Sequence, residues 1–288
     1  MTGQGKNNSL PSAGKARRIL IKTAAAASSA IFWIAVWAAA AYGAGSSLIL
    51  PSPAETFRRL LSLLGEGDFW LTTSKSLLRI TAGTVAGVAA GVLSAAISCS
   101  ARPAETLMKP AVTVIRATPV ASFIIIAMLW IGRGNLPSFI SFLMVFPIIY
   151  TNTLTGLREV GEEEKNIAVL FELTPAGKIR YIYSPAVRPY FLAAAKTATG
   201  LSWKAGIAAE VLAFSPDSIG RKLSESKNYL ETVDLFAWTA VVVILSLVFE
   251  ILLNRIGRYL SVGGRKIRKI ENELKVTENT EGEGGVAS

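Results

Sequence analysis

The chain has 288 residues, of which 51% are hydrophobic and only 17% are charged, whereas soluble domains carry about 25% charged residues, so the composition favours a membrane protein. It contains no histidine and a single cysteine, Cys99, which excludes an intrachain disulfide, a thiolate or imidazole metal cluster and a histidine-based catalytic triad. The net charge of +10 comes from Lys and Arg that fall mostly between apolar runs, which suits a membrane topology better than nucleic-acid binding. We expect no metal, no cofactor and no nucleic-acid partner.

Six apolar segments are predicted to cross the bilayer, since a spanning helix needs about 20 predominantly apolar residues. The predicted spans cover residues 24–42, 77–98, 111–131, 137–156, 190–213 and 236–253. The first segment also resembles a secretory signal peptide, but its apolar run is longer than usual and carries two Trp, so we interpret it as a retained span. Most flanking Lys and Arg fall on the side of the two termini, which predicts that both termini are cytoplasmic.

The predicted organisation has three parts, a cytoplasmic N-terminal tail, a transmembrane domain and a flexible cytoplasmic tail, over residues 1–23, 24–262 and 263–288. Between the first two spans, Ser52 as N-cap, Pro53 at the first helical position and Glu55 in the first turn predict a helix along the outer membrane surface. No internal repeat is visible, so the inverted-repeat design of many secondary transporters finds no support.

In the second span, Gly83, Gly87 and Gly91 recur every four residues. Small residues at this spacing let two helices approach closely, because lipid provides no hydrophobic drive for their association. Packing within one bundle is the more ordinary interpretation, and a contact with another subunit is the alternative.

Polar or amphipathic residues within the later spans are candidates for lining a route through the bundle: Arg116, Asn152, Trp203, Lys204 and Glu210. Arg116 lies near the inner end of a span that Pro119 should kink, and snorkelling to the headgroups explains it equally well. The Asn152 amide must find a partner, which favours helix packing. Lys204 and Glu210 sit where a charge costs about 2.5–3.5 kcal/mol at the bilayer centre, so each must face protein, water or the interface. Hydration near the outer boundary is the alternative for Glu210.

The segment between the fourth and fifth spans is charged and helix-forming, and it predicts two short amphipathic helices. Three Glu occupy the first turn of the first helix, which then carries an apolar stripe of Ile167, Leu170 and Phe171. Thr174 and Pro175 predict the start of a second helix, with Ile179, Ile182 and Tyr183 on its apolar face and Ser184–Pro185 at its end. Such stripes can lie on the membrane surface or in a groove of a soluble partner.

From about Leu50 to Leu253 the chain resembles the membrane subunit of binding-protein-dependent ABC importers of the nitrate, sulfonate and taurine type. The stretches that carry the resemblance, in the family's order, are LPSPAETF, SLLRITAGTVAGVAAGV, VIRATPVASFIIIAMLWIGRG, FPIIYTNTLTGLREV, SPAVRPYF and GLSWKAGIAAEVL. The resemblance implies an all-α membrane protein, a six-span bundle of the type I ABC importer permease kind, with residues 158–189 as a cytoplasmic coupling-helix loop.

The resemblance also implies partners and a mechanism. A permease dimer, with an identical or paralogous second copy, would work with two ATP-binding cassette ATPase subunits and an extracytoplasmic binding protein, in the cytoplasmic membrane of a prokaryote. ATP binding would move the docked loops and turn the cavity outward, so that a delivered small solute, an anion or a small organic molecule, can enter. The chain has no GxxxxGK[ST] phosphate loop, so it cannot bind ATP in that manner itself. We expect that it is not an enzyme and that ATP hydrolysis takes place in the separate ATPase subunit.

The loop that the resemblance assigns to ATPase docking departs from the family pattern at three places. The family's Glu-Ala-Ala aligns with Asn166-Ile167-Ala168, its turn glycine with Glu172, and its Leu before Pro185 with Ser184. The residues expected to contact the ATPase or to shape the loop are Glu164, Ile167, Ala168, Leu170, Phe171, Glu172, Thr174, Pro175, Ile179, Tyr183 and Pro185.

Two other classes of function remain open from the residues alone. A secondary transporter would couple uptake to protons through Glu210, and a membrane-embedded lipid-handling enzyme would use Lys204 and Glu210 chemically. Dependence of uptake on ATP, and not on a proton gradient, separates the first of these from an importer subunit.

Overall fold

The computed structural model describes residues 13–251 and 255, and within them every regular element is helical, which confirms the all-α class. The predicted tail over 263–288 lies outside the described residues, and α1 begins at Ala13, inside the predicted N-terminal tail. The helices are α1 (Ala13–Ala44), α2 (Pro53–Leu64), α3 (Gly67–Ser100), α4 (Arg102–Ala117), α5 (Val120–Ala127), α6 (Leu136–Arg158), α7 (Glu162–Leu170), α8 (Pro175–Lys178), α9 (Ser184–Ala213), α10 (Ile219–Asn228) and α11 (Thr232–Ile251).

Among the residues that the structure describes, four helices are long and apolar enough to cross a membrane, namely α1 over Ala27–Ala44, α3, α6 and α11. The predicted third span, over 111–131, is not one helix: α4 and α5 meet at an angle of 104° and count as a fifth span only if taken together. The cause is Pro119, since Thr118 before it is extended, with φ −81° and ψ 131°. The predicted fifth span corresponds to α9, which is long enough to cross but carries more charge than the other four.

The predicted break at Ser184–Pro185 is wrong, because helical backbone continues from Pro175 through to Ala213. A single π-type turn over Ile179–Tyr183 precedes the proline, and the Ser184 amide bonds to the Ile179 carbonyl. Proline interrupts a regular α-helix because it lacks an N–H and its ring collides with a carbonyl four residues earlier. We infer that the wider turn accommodates the ring and lets the helix continue.

The core of the bundle is α6, which packs against α3 on one side and α9 on the other. Three of the glycines of α3 lie along α6. An added Cβ would fall 2.0 Å from the Ser138 carbonyl oxygen at Gly83, 2.9 Å from the Phe142 carbonyl oxygen at Gly87, and 2.9 Å from the Ile149 Cβ at Gly91. These are the contacts expected for packing within one bundle, where the absence of a side chain lets two backbones approach.

A charged and capped layer covers one end of the bundle. In α2, Ser52 and Glu55 form a reciprocal capping box, which confirms the predicted start of this helix. Arg59 of α2 forms a bidentate ion pair with Asp234 of α11 at 2.6 and 2.8 Å, and a further ion pair with Glu66 at 2.8 Å. The ion pair with Asp234 attaches α2 to α11.

Candidate functional site

One face of α9 combines exposure with polarity. Lys196, Thr197, Gly200 and Lys204 all lie on it and are exposed, and an added Cβ at Gly200 would meet no atom within 4 Å. Charged side chains at membrane depth face protein or water and not lipid, because exposing them to hydrocarbon is costly. This α9 face is therefore unsuited to contact with acyl chains.

A cleft of about 380 Å³ opens between this face and α11. Lys196 pairs with Glu250 across it at 3.7 Å, and both side chains are more than half exposed. Trp203 lies at its wall, where the indole Nε1 donates to the Val242 carbonyl at 3.2 Å and the ring stacks on Phe249 with centroids 5.6 Å apart. The structure thus brings the predicted residues Trp203 and Lys204 together.

Neither Lys196 nor Glu250 is among the residues that the sequence predicts to line a route. They lie on helices far apart in sequence, so no local pattern indicates that they pair. The sequence indicates only that Lys196 and Lys204 share one side of a helix, because they are eight residues apart.

Glu210 lies elsewhere, fully buried at the junction of α3, α9 and α10. Its Oε2 accepts from the Ser76 hydroxyl at 2.9 Å and from the Gly220 amide at 3.1 Å. Gly220 is in the first turn of α10, where a carboxylate satisfies free amides and complements the helix dipole. Glu210 is therefore not hydrated at the boundary, and its geometry is that of a residue that attaches α10 to the bundle.

Arg116 and Asn152 are separated from the α9 cleft. Arg116 is exposed on α4 and lines a different cleft, between α4 and α6. The Asn152 side-chain amide donates to the Ile148 carbonyl of its own helix at 2.8 Å. The five predicted pathway residues thus lie in four separate places: the α9 cleft, the junction around Glu210, the α4–α6 cleft and the surface of α6 at Asn152. Their assignment to a pathway stays a prediction.

The α7–turn–α8 segment presents apolar side chains to solvent. The exposed fractions are 51% for Ile167, 79% for Leu170, 70% for Phe171 and 63% for Ile179, whereas Ala168 is buried. Tyr183 is half-buried, and Glu164 and Pro185 are exposed. These residues extend from α7 across the turn to the residue after α8, and uncovered apolar surface of this kind is typical of a contact site for another protein.

The turn after α7 forms a Schellman motif with glutamate at the left-handed position. The Leu173 amide donates to the Ala168 carbonyl, and the Glu172 amide to the Val169 carbonyl, both at 3.0 Å. Glu172 has φ of +48°, a conformation that glycine adopts most easily. The backbone of the turn therefore has the shape that the missing glycine would provide.

The start of α8 agrees with the predicted cap. The Thr174 hydroxyl accepts from the Gly177 amide at 3.2 Å, and Pro175 occupies the first helical position. The segment thus consists of two helices joined by a defined turn, and the second of them runs directly into α9.

Residues 84–263 match the family model described as the binding-protein-dependent transport system inner membrane component. A probable ABC transporter permease protein of Brucella melitensis is 26% identical over 219 residues, covering 76% of this chain and 89% of that protein. The taurine transport system permease protein of Escherichia coli is 22% identical over 231 residues, covering 78% of this chain and 84% of its own.

A nitrate import permease protein of Synechocystis is 27% identical over 190 residues, covering 62% of this chain and 68% of that one. Among solved structures, an amino acid ABC transporter crystallised with histidines superposes with a TM-score of 0.54 at 18% identity, over 65% of this chain and 92% of that chain. At that identity the superposition supports the shared fold alone.

Proposed function

The chain belongs to the family of binding-protein-dependent transport system inner membrane components, and from this premise we propose that the α9 face with Lys196, Gly200 and Lys204 lines the route of the solute. The chain is a membrane protein, a permease subunit of an ATP-driven importer, and its family consists of transport permeases and not of enzymes. The observation that carries the proposal is the exposure of Lys196 and Lys204 on one face of α9, a helix of 30 residues.

The two lysines favour an anionic solute. With Glu250 paired to Lys196, the cleft retains one excess positive charge from Lys204. Relatives are named for taurine, aliphatic sulfonates, nitrate and bicarbonate, all of which carry an anionic group. We therefore propose a small anion or a small organic molecule with an acidic group as the substrate of this chain.

The importer needs an ATPase and a solute-binding protein, as the family implies. We propose that two permease copies assemble with two ATPase subunits, that the α9 faces meet across the central route, and that both termini are cytoplasmic. A second copy would supply the protein or water that the exposed lysines require. The α7–turn–α8 segment is then on the ATPase side.

We propose that the ATPase docks on Ile167, Leu170, Phe171 and Ile179. Their combined exposure supports a helix-in-groove contact, in which apolar anchors at i, i+3 and i+4 enter a complementary groove. Glu172 reproduces the left-handed backbone that the family's glycine would adopt, so the departure from the usual loop pattern leaves the turn intact.

Thiol labelling tests the pathway. On a Cys99→Ser background, Gly200→Cys and Lys204→Cys should react with a membrane-impermeant reagent, and addition of ATP should change the rate. Val85→Cys, at an exposed apolar position of α3, is the matched control and should stay unlabelled because it faces lipid. If Val85→Cys labelled as fast as both α9 positions, the α9 face would not be the route.

Uptake into vesicles that contain the whole importer tests the energy source and the docking surface. Uptake should require ATP and persist when the proton gradient is collapsed. Leu170→Asp and Phe171→Asp should abolish uptake and co-purification of the ATPase while leaving membrane insertion intact. Leu230→Asp, at an equally exposed position at the other end of the bundle, is the control. Unchanged uptake in both α7 variants would contradict the docking assignment.

A further inference from the structure

A second cleft, of about 590 Å³, lies between α4 and α6, away from the α9 face. Its charged lining consists of Glu105, Lys109 and Arg116 from α4 and Arg158 from α6. We propose that this cleft binds a phosphate group, carried either by an anionic lipid or by a soluble phosphate.

Charge is the first argument for this site. Arg158 and Glu105 form an ion pair, so the single carboxylate of the lining is already compensated. Lys109 and Arg116 are both exposed and form no ion pair with any described residue. They are seven residues apart and so lie on one side of α4. The cleft therefore retains an excess of two positive charges that a phosphate group would neutralise.

The hydroxyl groups of the cleft strengthen the case for an anion. Thr113, Thr151 and Thr155 donate to carbonyls of their own helices, and the Tyr150 hydroxyl donates to Ser98. Because these hydroxyl protons are already donated, the donors left for a ligand are the Lys109 ammonium, the Arg116 guanidinium and the N–H groups of Arg158 that do not bond to Glu105. An ammonium and a planar guanidinium fork together suit phosphate oxygens, whereas a neutral polar ligand would gain little.

Depth and surroundings suit a headgroup. Lys109 lies just before the predicted start of the third span at residue 111, and at 1.5 Å per residue Arg116 lies about 8 Å beyond that start, on the cytoplasmic side in the proposed orientation. The lining of the cleft also includes Val112, Ala117 and Leu154, apolar residues that the acyl chains of a bound lipid can contact. Basic pockets between spanning helices on the cytoplasmic side are known lipid headgroup sites.

Native mass spectrometry of the purified full-length chain in a neutral detergent tests the site. Phosphatidylglycerol is titrated in one arm and inorganic phosphate in a second, with phosphatidylcholine as a lipid of no net charge. We expect saturable binding in at least one of the first two arms. Binding should be about 30-fold weaker in the Lys109→Gln/Arg116→Gln double variant, since each cation contributes about 1 kcal/mol near a membrane surface.

Controls separate the site from general basicity and from misfolding. Arg102→Gln and Lys178→Gln remove two cations outside the cleft lining and should bind like the unmodified chain. Arg116→Lys keeps the charge and should retain most of the affinity, which shows that the position tolerates substitution. Three results would each overturn the proposal. The double variant could bind as tightly as the unmodified chain, the control pair could lose as much affinity as the double variant, or the unmodified chain could show no preference over phosphatidylcholine.

Discussion

Substitution of Gly83 by alanine offers a direct test of how closely α3 and α6 approach. The new Cβ would lie 2.0 Å from the Ser138 carbonyl oxygen, and carbon–oxygen contacts in proteins begin at about 3.3 Å. The helices must therefore separate by roughly 1 Å, because the obstacle is backbone and cannot rotate away. Overpacking typically costs 1–3 kcal/mol, and we expect about 3 kcal/mol here, since Gly87 and Gly91 share the same interface.

The measurement is thermal unfolding in detergent, followed by the loss of the monodisperse species. At roughly 2–4 °C for each kcal/mol, Gly83→Ala should lower the melting temperature by about 6–12 °C. Gly200→Ala is the matched control, because its Cβ meets nothing and alanine favours the helix by about 1 kcal/mol. An unchanged melting temperature for Gly83→Ala would show that the two helices do not pack through this glycine. A change only in dimer formation would favour the subunit-contact interpretation.

Three further predictions concern the loops and the buried carboxylate. Glu172→Gly should slow hydrogen exchange of the Leu173 amide, because relief of the left-handed backbone, about 1–2 kcal/mol, exceeds the entropy cost of glycine, about 0.5–1 kcal/mol. Glu210→Ala should lower stability by about 3 kcal/mol, since two buried donors lose their acceptor, and Glu210→Gln should lower it less. The hydrogen bond from Lys75 lowers the pKa of Asp217 below its ordinary value of 3.8. The resulting stabilisation is present above that value and is lost as pH falls through the lowered pKa, which unfolding at pH below about 4 should reveal.

Each of these three predictions can be contradicted by a specific result. Exchange that is equal or faster in Glu172→Gly would mean that the glutamate side chain stabilises the turn in another way. Equal melting of the Ala and Gln variants of Glu210 would mean that its hydrogen bonds contribute little. Asp217→Asn should remove this carboxylate's part of the acid sensitivity, and an unchanged pH profile would contradict that assignment.

Local signals in the sequence predicted the helix starts well. The cap at Ser52 and the cap at Thr174 both formed as expected, because each depends on side chains within three residues. The fourth span is predicted over 137–156, and the corresponding helix covers Leu136–Arg158, since a long and mainly apolar run determines it.

The wrong helix end at Ser184–Pro185 has a local cause, the π-type turn before the proline, whereas the other features that the sequence did not predict depend on distant contacts. Pro119 indicated a kink, but the angle of 104° is set by where α5 packs, and its Ile124 and Ala127 are buried against α6 and α9. The short helix α10 was not predicted, although Ser218 is an ordinary N-cap, because its first turn also depends on a carboxylate from α9. The Lys196–Glu250 pair likewise joins helices that only the fold brings together.

The unbroken helical backbone from Pro175 to Ala213 has a geometric consequence for transport. At 1.5 Å per residue the run is about 58 Å long, so it extends from the segment with the exposed apolar side chains to the far end of the bundle. If the run is straight and moves as one rigid body, a tilt of about 5° around its midpoint displaces the two ends by about 2.5 Å in opposite directions. An inward displacement of the end near Phe171 would then widen one opening of the proposed route and narrow the other. One movement of the helix would be enough to keep the two openings from being wide at the same time.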